Sequence, residues 1–159
     1  MKMQHEDRFK KNLVSLAEYI VDVNDDAVKR GVRIMDSGLL RVGSNLVNGI
    51  SSKTIIETFI SKSNQSWENI RIHDQVYFNT KALDFFAGVP EEMVNKMRIL
   101  LMGKDDKGNY YVKDEVRVMI WKYLESFVKI SLKYLSPEGK SLISKAEYVQ
   151  HLESWGIQV

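Results

Sequence analysis

Val116 to Leu135, VRVMIWKYLESFVKISLKYL, is the segment that limits most sharply what this chain can become. Val116, Ile120, Leu124, Phe127, Ile130 and Leu135 fall along one side of a helix, and Trp121, Val128 and Leu132 widen the apolar arc. A helix that is apolar over most of its circumference must be sheathed by other elements, so the expectation is a helical bundle with this segment at its centre. Trp121 falls at the edge of the arc, where its ring can pack while the indole N–H reaches a polar partner. The run is not a bilayer span, because Lys122, Glu125, Lys129 and Lys133 interrupt the roughly 20 apolar residues that one requires.

The rest of the chain reads as the sheath. Phe9, Leu13, Leu16, Ala17 and Ile20 recur at helical spacing between Glu6 and Val23, and Asn24, Asp25 and Asp26 then supply turn and cap residues. Ala27 to Asn48 is less regular: Gly31, Gly38, Gly43 and Gly49 leave open one helix, two short helices, or a short strand at Val32 to Met35. Ser51 and Ser52 cap a short helix carrying Ile55, Ile56, Phe59 and Ile60, followed by a loop at Ser61 to Gln65. Trp67, Ile70, Asp74, Tyr77 and Phe78 continue helical spacing toward Phe86, until Gly88-Val89-Pro90 ends it. Pro90 suits the first position of the next helix, with Glu91 and Glu92 at its positive end and Met93, Val94, Met97, Leu100 and Leu101 on its buried face. After Gly103 comes a polar loop with a turn at Lys107-Gly108-Asn109 and extended residues at Tyr110 and Tyr111. Ser136-Pro137 breaks the long helix, and Ser144 with Glu147 has the spacing of a capping box for a last helix burying Tyr148, Val149, Leu152 and Trp155 before Gly156. The expected fold is an all-α single domain over residues 1–159, a bundle of six to eight helices.

Composition narrows the function classes. Twenty-three Lys plus Arg against 21 Asp plus Glu give a net charge of +2 with the signs interleaved, so charge points to no nucleic-acid or membrane partner. No cysteine is present, which excludes disulfides, thiolate zinc sites and a thiol nucleophile, and favours a reducing compartment such as the cytoplasm. Met1 to Lys11 has no apolar signal region, so the sequon Asn64-Gln65-Ser66 is expected to stay unmodified.

Several site motifs are approached and missed. Gly38 to Asn45 spaces two glycines like a phosphate loop but has Ser44 where the lysine belongs. With Gly108 at the sixth position of a calcium loop, Gly103 stands first and Lys107 fifth, so ligands at Asp105 and Asp114 lack their partners. Asp22, Asn24 and Asp26 alternate correctly, but Ala27 replaces the required glycine, and helix capping explains them better. His5, His73 and His151 lie far apart in sequence, which argues against a local zinc motif. His73-Asp74 is the one adjacent imidazole–carboxylate pair, yet neighbours on a helix diverge by about 100° and read as a polar helix side. No cofactor is expected. Arg117, Lys122, Lys129 and Lys133 form a basic stripe on the exposed side of the long helix, with Glu125 placed to pair with Lys129. The stripe is mostly a solvated face and is the candidate partner-binding face. The aromatic residues recur at core spacing without basic residues between them, so a base-stacking platform is not expected.

Phe59 to Phe86, with Trp67, the His73-Asp74 pair and paired aromatics at helical steps, together with Ile120 to Leu135, resembles small all-helical proteins encoded by large nucleocytoplasmic DNA viruses. The resemblance covers about half the chain, rests on core-type residues and carries no activity. It implies a virion component, or a protein of the host cytoplasm that engages a host or viral partner. A viral Bcl-2-like regulator also has a small helical fold around an apolar helix, although the Asn-Trp-Gly-Arg run of that family is absent here. The leading expectation is a non-enzymatic structural or protein-interaction protein. The alternative is an enzyme whose site assembles from distant residues around His73, Asp74 and Glu68.

Overall fold

Helical spacing of the apolar residues becomes helix almost throughout the computed structural model, which describes residues 3–80, 84–86, 89–135 and 142–157. Among these residues the chain is all-α. The helices are α1 (His5–Lys29), α2 (Ser37–Val47), α3 (Ser52–Ser63), α4 (Trp67–Arg71), α5 (Gln75–Thr80), α6 (Glu91–Met102), α7 (Asp114–Leu135) and α8 (Lys145–Trp155), with a 3-10 turn at Asn64–Ser66. Lys104 and Tyr110 form a lone antiparallel bridge across the turn that the sequence predicts.

The long apolar helix is central, as its pattern requires. α1 packs against both α7 and α3, and the three meet in a ring cluster in which Phe9 stands 5.1 Å from Phe59 and 4.7 Å from Phe127, centroid to centroid. Phe9, Phe59, Trp67, Phe78 and Phe127 are completely enclosed, and each buried aromatic of this kind is worth about 1.5–3 kcal/mol relative to exposure. Trp121 is buried to 6% exposure at the margin of this core, its face covered by His73 and its edge met by Phe78.

Several boundaries differ from the sequence reading, each for an identifiable reason. α1 does not turn at Asn24-Asp25-Asp26 but runs on to Lys29, so these residues cap nothing there: Asn24 points inward and is fully buried, Asp25 pairs with Arg41, and Asp26 pairs with Arg30. Gly31, at φ 88, ends α1, and Val32 N–H closes back onto Ala27 O at 2.9 Å. Val32 to Met35 is a connector and not a strand, and Ala27 to Asn48 resolves into the end of α1 and the whole of α2. The loop expected at Ser61 to Gln65 is helix, because Ser63 Oγ donates to Phe59 O and accepts from Trp67 Nε1, tying the end of α3 to the start of α4. Pro90 is the cap and α6 begins at Glu91. α8 carries the predicted Ser144 cap on Glu147 N–H, but none of its residues is fully buried and Val149 is exposed, so it lies on the bundle without entering it. Ser136-Pro137 lies outside the described residues.

Candidate functional site

α2 is anchored to α1 by polar contacts at both ends. At its N-terminus the buried Asn24 amide donates to Met35 O at 3.2 Å and to Ser37 Oγ at 3.0 Å, and Asp36 caps Leu39 N–H. One turn later Arg41 pairs with Asp25 at 2.5 Å. Beyond its C-terminus Lys10 Nζ donates to Asn48 O at 3.0 Å and to Ile50 O at 2.7 Å, satisfying carbonyls that a helix end leaves open. These clamps fix the rotation of α2 about its own axis. Leu40 and Val47, seven apart, therefore face inward over a small apolar hollow of about 50 Å³ lined by Leu13, Leu16, Gly43 and Met93 among others.

The same rotation turns a second apolar stripe outward. Leu39, Val42 and Leu46, at i, i+3 and i+7, are 66%, 58% and 55% exposed. Gly38, Asn45 and Gly49 border them, Asp36, Glu92 and Lys96 line a second hollow together with Leu39, and the only charged residue of α2 itself is the Arg41 already held by Asp25. A single exposed leucine is ordinary, but three apolar side chains on one helix face, rimmed by polar and charged residues, are the pattern of a contact surface. The sequence displayed both stripes, Leu40 with Val47 and Leu39 with Val42 and Leu46. Gly38, Gly43 and Gly49 masked them, because interior glycines lower the helix propensity of the segment.

A second local feature lies between α4 and α5. The helix expected from Trp67 to Phe78 breaks at His73, which at φ 56 is the one described non-glycine residue in the left-handed region. His73 N–H bonds Ile70 O and Asp74 N–H bonds Asn69 O, a Schellman ending with histidine where glycine is customary. The imidazole lies flat on Trp121, 4.8 Å between centroids and 8° between planes, and its Nε2 meets Glu125 Oε1. Asp74 turns away to cap α5 through Tyr77 N–H and to accept from Asn69. The Asn69 amide, followed by these backbone N–H groups, holds its carboxyl below the usual carboxylate range.

No family model, curated protein or solved structure matches the chain.

The residues singled out from sequence are thus distributed over separate places. His73, Asp74 and Glu68 do not converge: Glu68 is bound by Arg71, whose hydrogen bond lowers its pKa. His5 contacts Arg8, and His151 packs against Trp67 with its pKa lowered by burial, so the three histidines remain apart. Among the described residues no group of three His, Asp or Glu could hold a metal ion. Asp105 is occupied by its own turn, accepting from Lys107 N–H and Asn109 N–H. Lys122, Lys129 and Lys133 are exposed along one side of α7 as predicted, but Arg117 is not on that stripe. It projects from a different side of the helix, lies 3.6 Å over the Tyr110 ring, and pairs with Asp114. Glu125 is drawn to His73 and not to Lys129. Among the described residues no helix is long and apolar enough to cross a membrane.

Proposed function

We propose that this chain is a non-enzymatic interaction protein whose working surface is the outward face of α2. The observation that carries the reading is the uncharged stripe Leu39, Val42 and Leu46, held outward by clamps at both ends of the helix. Side chains with no role in solution would be freer to be polar there, since they contribute nothing to the core. The resemblance to helical proteins of large DNA viruses extends the proposal to a viral component that engages a host or viral protein. The exposed apolar residues of α7, Val118 and Met119, stand before the lysines and not among them, so Lys122, Lys129 and Lys133 fit the rim or solvated face of such a protein better than its contact core.

The test is capture with three immobilised proteins side by side: wild type, Leu39→Glu, and the combined Lys122→Gln, Lys129→Gln, Lys133→Gln variant. Each captured protein is identified, purified and titrated. A partner should bind wild type and the lysine variant comparably and lose at least about tenfold in affinity on Leu39→Glu, which would bury an unpaired charge. Equal capture by all three would contradict the reading.

A further inference from the structure

Asn48-Gly49, just past the end of α2, is the one asparagine–glycine step in the chain, and both residues are exposed. That pairing carries chemistry of its own, because glycine has no Cβ to shield its amide nitrogen or to restrict the backbone around it. Once hydroxide removes the Gly49 amide proton, the nitrogen can attack Cγ of the Asn48 side chain. An N–Cγ bond forms, the bond from Cγ to the side-chain nitrogen breaks, and that nitrogen takes a proton from water and leaves as ammonia. The five-membered imide left behind adds one water at either carbonyl, which breaks one of its C–N bonds and leaves aspartate or isoaspartate at this position. Hydroxide is regenerated, so water is the only reagent consumed.

The fold does not call for glycine here. A Cβ on Gly49 would stand 3.6 Å from Leu46 O, an ordinary contact, and Gly49 is not among the residues at positive φ. What the fold does is hold the reaction back. The imide ring closes only when the Asn48 Cβ eclipses the Gly49 nitrogen, which the helical backbone of Asn48, at ψ -27, does not allow. The Gly49 N–H is also engaged, donating to Leu46 O at 3.1 Å. Lys10 fastens the turn from α1, with Nζ on Asn48 O at 3.0 Å and on Ile50 O at 2.7 Å. Asn48 O belongs to the same peptide group as the Gly49 nitrogen, so the ammonium also eases loss of the proton, but only while the turn is closed and the ring cannot form. Ring closure therefore runs through an opened turn, in which the Lys10 contacts are gone.

We infer that Asn48 is a site of spontaneous deamidation for which the Lys10 clamp is the gate. The product puts a carboxylate at the negative end of α2, which the helix dipole disfavours, and the isoaspartyl form reroutes the main chain and displaces the carbonyl that Lys10 held. The inference does not depend on what α2 binds.

Wild type, Lys10→Met and Gly49→Ala are incubated at mildly alkaline pH, folded and in parallel unfolded in urea, and the site and rate of amide loss are read by peptide mass spectrometry. Helical content and thermal midpoint are recorded for each as a folding control. Unfolded wild type should lose the Asn48 amide ahead of every other asparagine, and folded wild type should lose it more slowly. Lys10→Met should raise the folded rate by at least about threefold, the loss of its hydrogen bonds making opening easier, and leave the rate in urea unchanged. Gly49→Ala should suppress the reaction in both states. A folded Lys10→Met rate no faster than wild type overturns the gate, as does a wild-type rate that is equal folded and unfolded. Amide loss at Asn48 no faster than at the other asparagines in urea overturns the site itself.

Discussion

His73 occupies a backbone conformation that glycine adopts at no steric cost and other residues adopt at about 1–2 kcal/mol. Its imidazole offsets that through the stack on Trp121, worth about 0.5–1.5 kcal/mol, and the half-exposed contact with Glu125, worth about 0–1 kcal/mol. Two substitutions separate the contributions. His73→Ala keeps the strain and loses both contacts, so it should destabilise by about 1–2 kcal/mol, whereas His73→Gly relieves the strain and should fall within about 0.5 kcal/mol of wild type in urea denaturation. Equal losses would show that the backbone strain is not being felt. Trp121→Ala should cost about 3–5 kcal/mol, since it empties a site enclosed by His73 and Phe78. His151 supplies the pH dependence. Burial against Trp67 lowers its pKa from 6.5, with the nearby Glu147 and Glu68 carboxylates and Asn64 opposing. The unfolded chain therefore binds a proton more readily than the folded one, so this contribution is fully present above the ordinary value and is lost as pH falls through it toward the folded pKa. Urea midpoints should drop more between about pH 8 and pH 5.5 for wild type than for His151→Gln; parallel drops would assign the effect elsewhere.

At the scale of elements, the helices that the sequence displayed best are those with one apolar stripe. α7 reads directly from Ile120, Leu124 and Phe127, and α6 from Val94, Met97 and Leu101. Their partners are all apolar, so spacing alone locates the buried side. The elements that were hard to read owe their form to polar contacts between residues distant in sequence. Asn24 looks like a cap, yet it is buried mid-helix because its amide has Met35 O and Ser37 Oγ to serve. Arg117 looks like part of a basic stripe until Tyr110 lies beneath it. The break at His73 had one local signal, Asp74 followed by Tyr77, a cap spacing hidden inside an unbroken apolar period. For α7 the lysines decide little about stability: exposed and on the solvent side, Lys122, Lys129 and Lys133 changed together to Gln should shift stability by well under ~1 kcal/mol in the same denaturation assay. α8 differs in kind. None of its residues is fully buried, and Tyr148 Oη and Trp155 Nε1 are buried without a hydrogen-bond partner among the described residues. Its amide protons should therefore exchange well before those of α1 and α7, and equal protection would mean that α8 is held as firmly as the core.

For the whole molecule, the core that sets the fold is distinct from one face that the fold does not use. α1, α3 and α7 share the Phe9, Phe59 and Phe127 cluster, while α2 is fastened by Asn24, Asp25 and Lys10 and closes an apolar hollow with one side, leaving the other to solvent. The all-α bundle was legible from periodicity; the α2 surface was not, because recognising it requires knowing which of two apolar stripes the clamps turn inward. The absence of cysteine makes the decisive measurement simple. Val42→Cys, at the centre of the stripe, and Val76→Cys, at a position 74% exposed on α5, each carry the same environment-sensitive fluorophore and are titrated with a protein captured by the wild type. Contact through the outward face of α2 predicts a saturable change in emission at position 42 and none at position 76. Equal changes at the two positions, or none at 42, would contradict it.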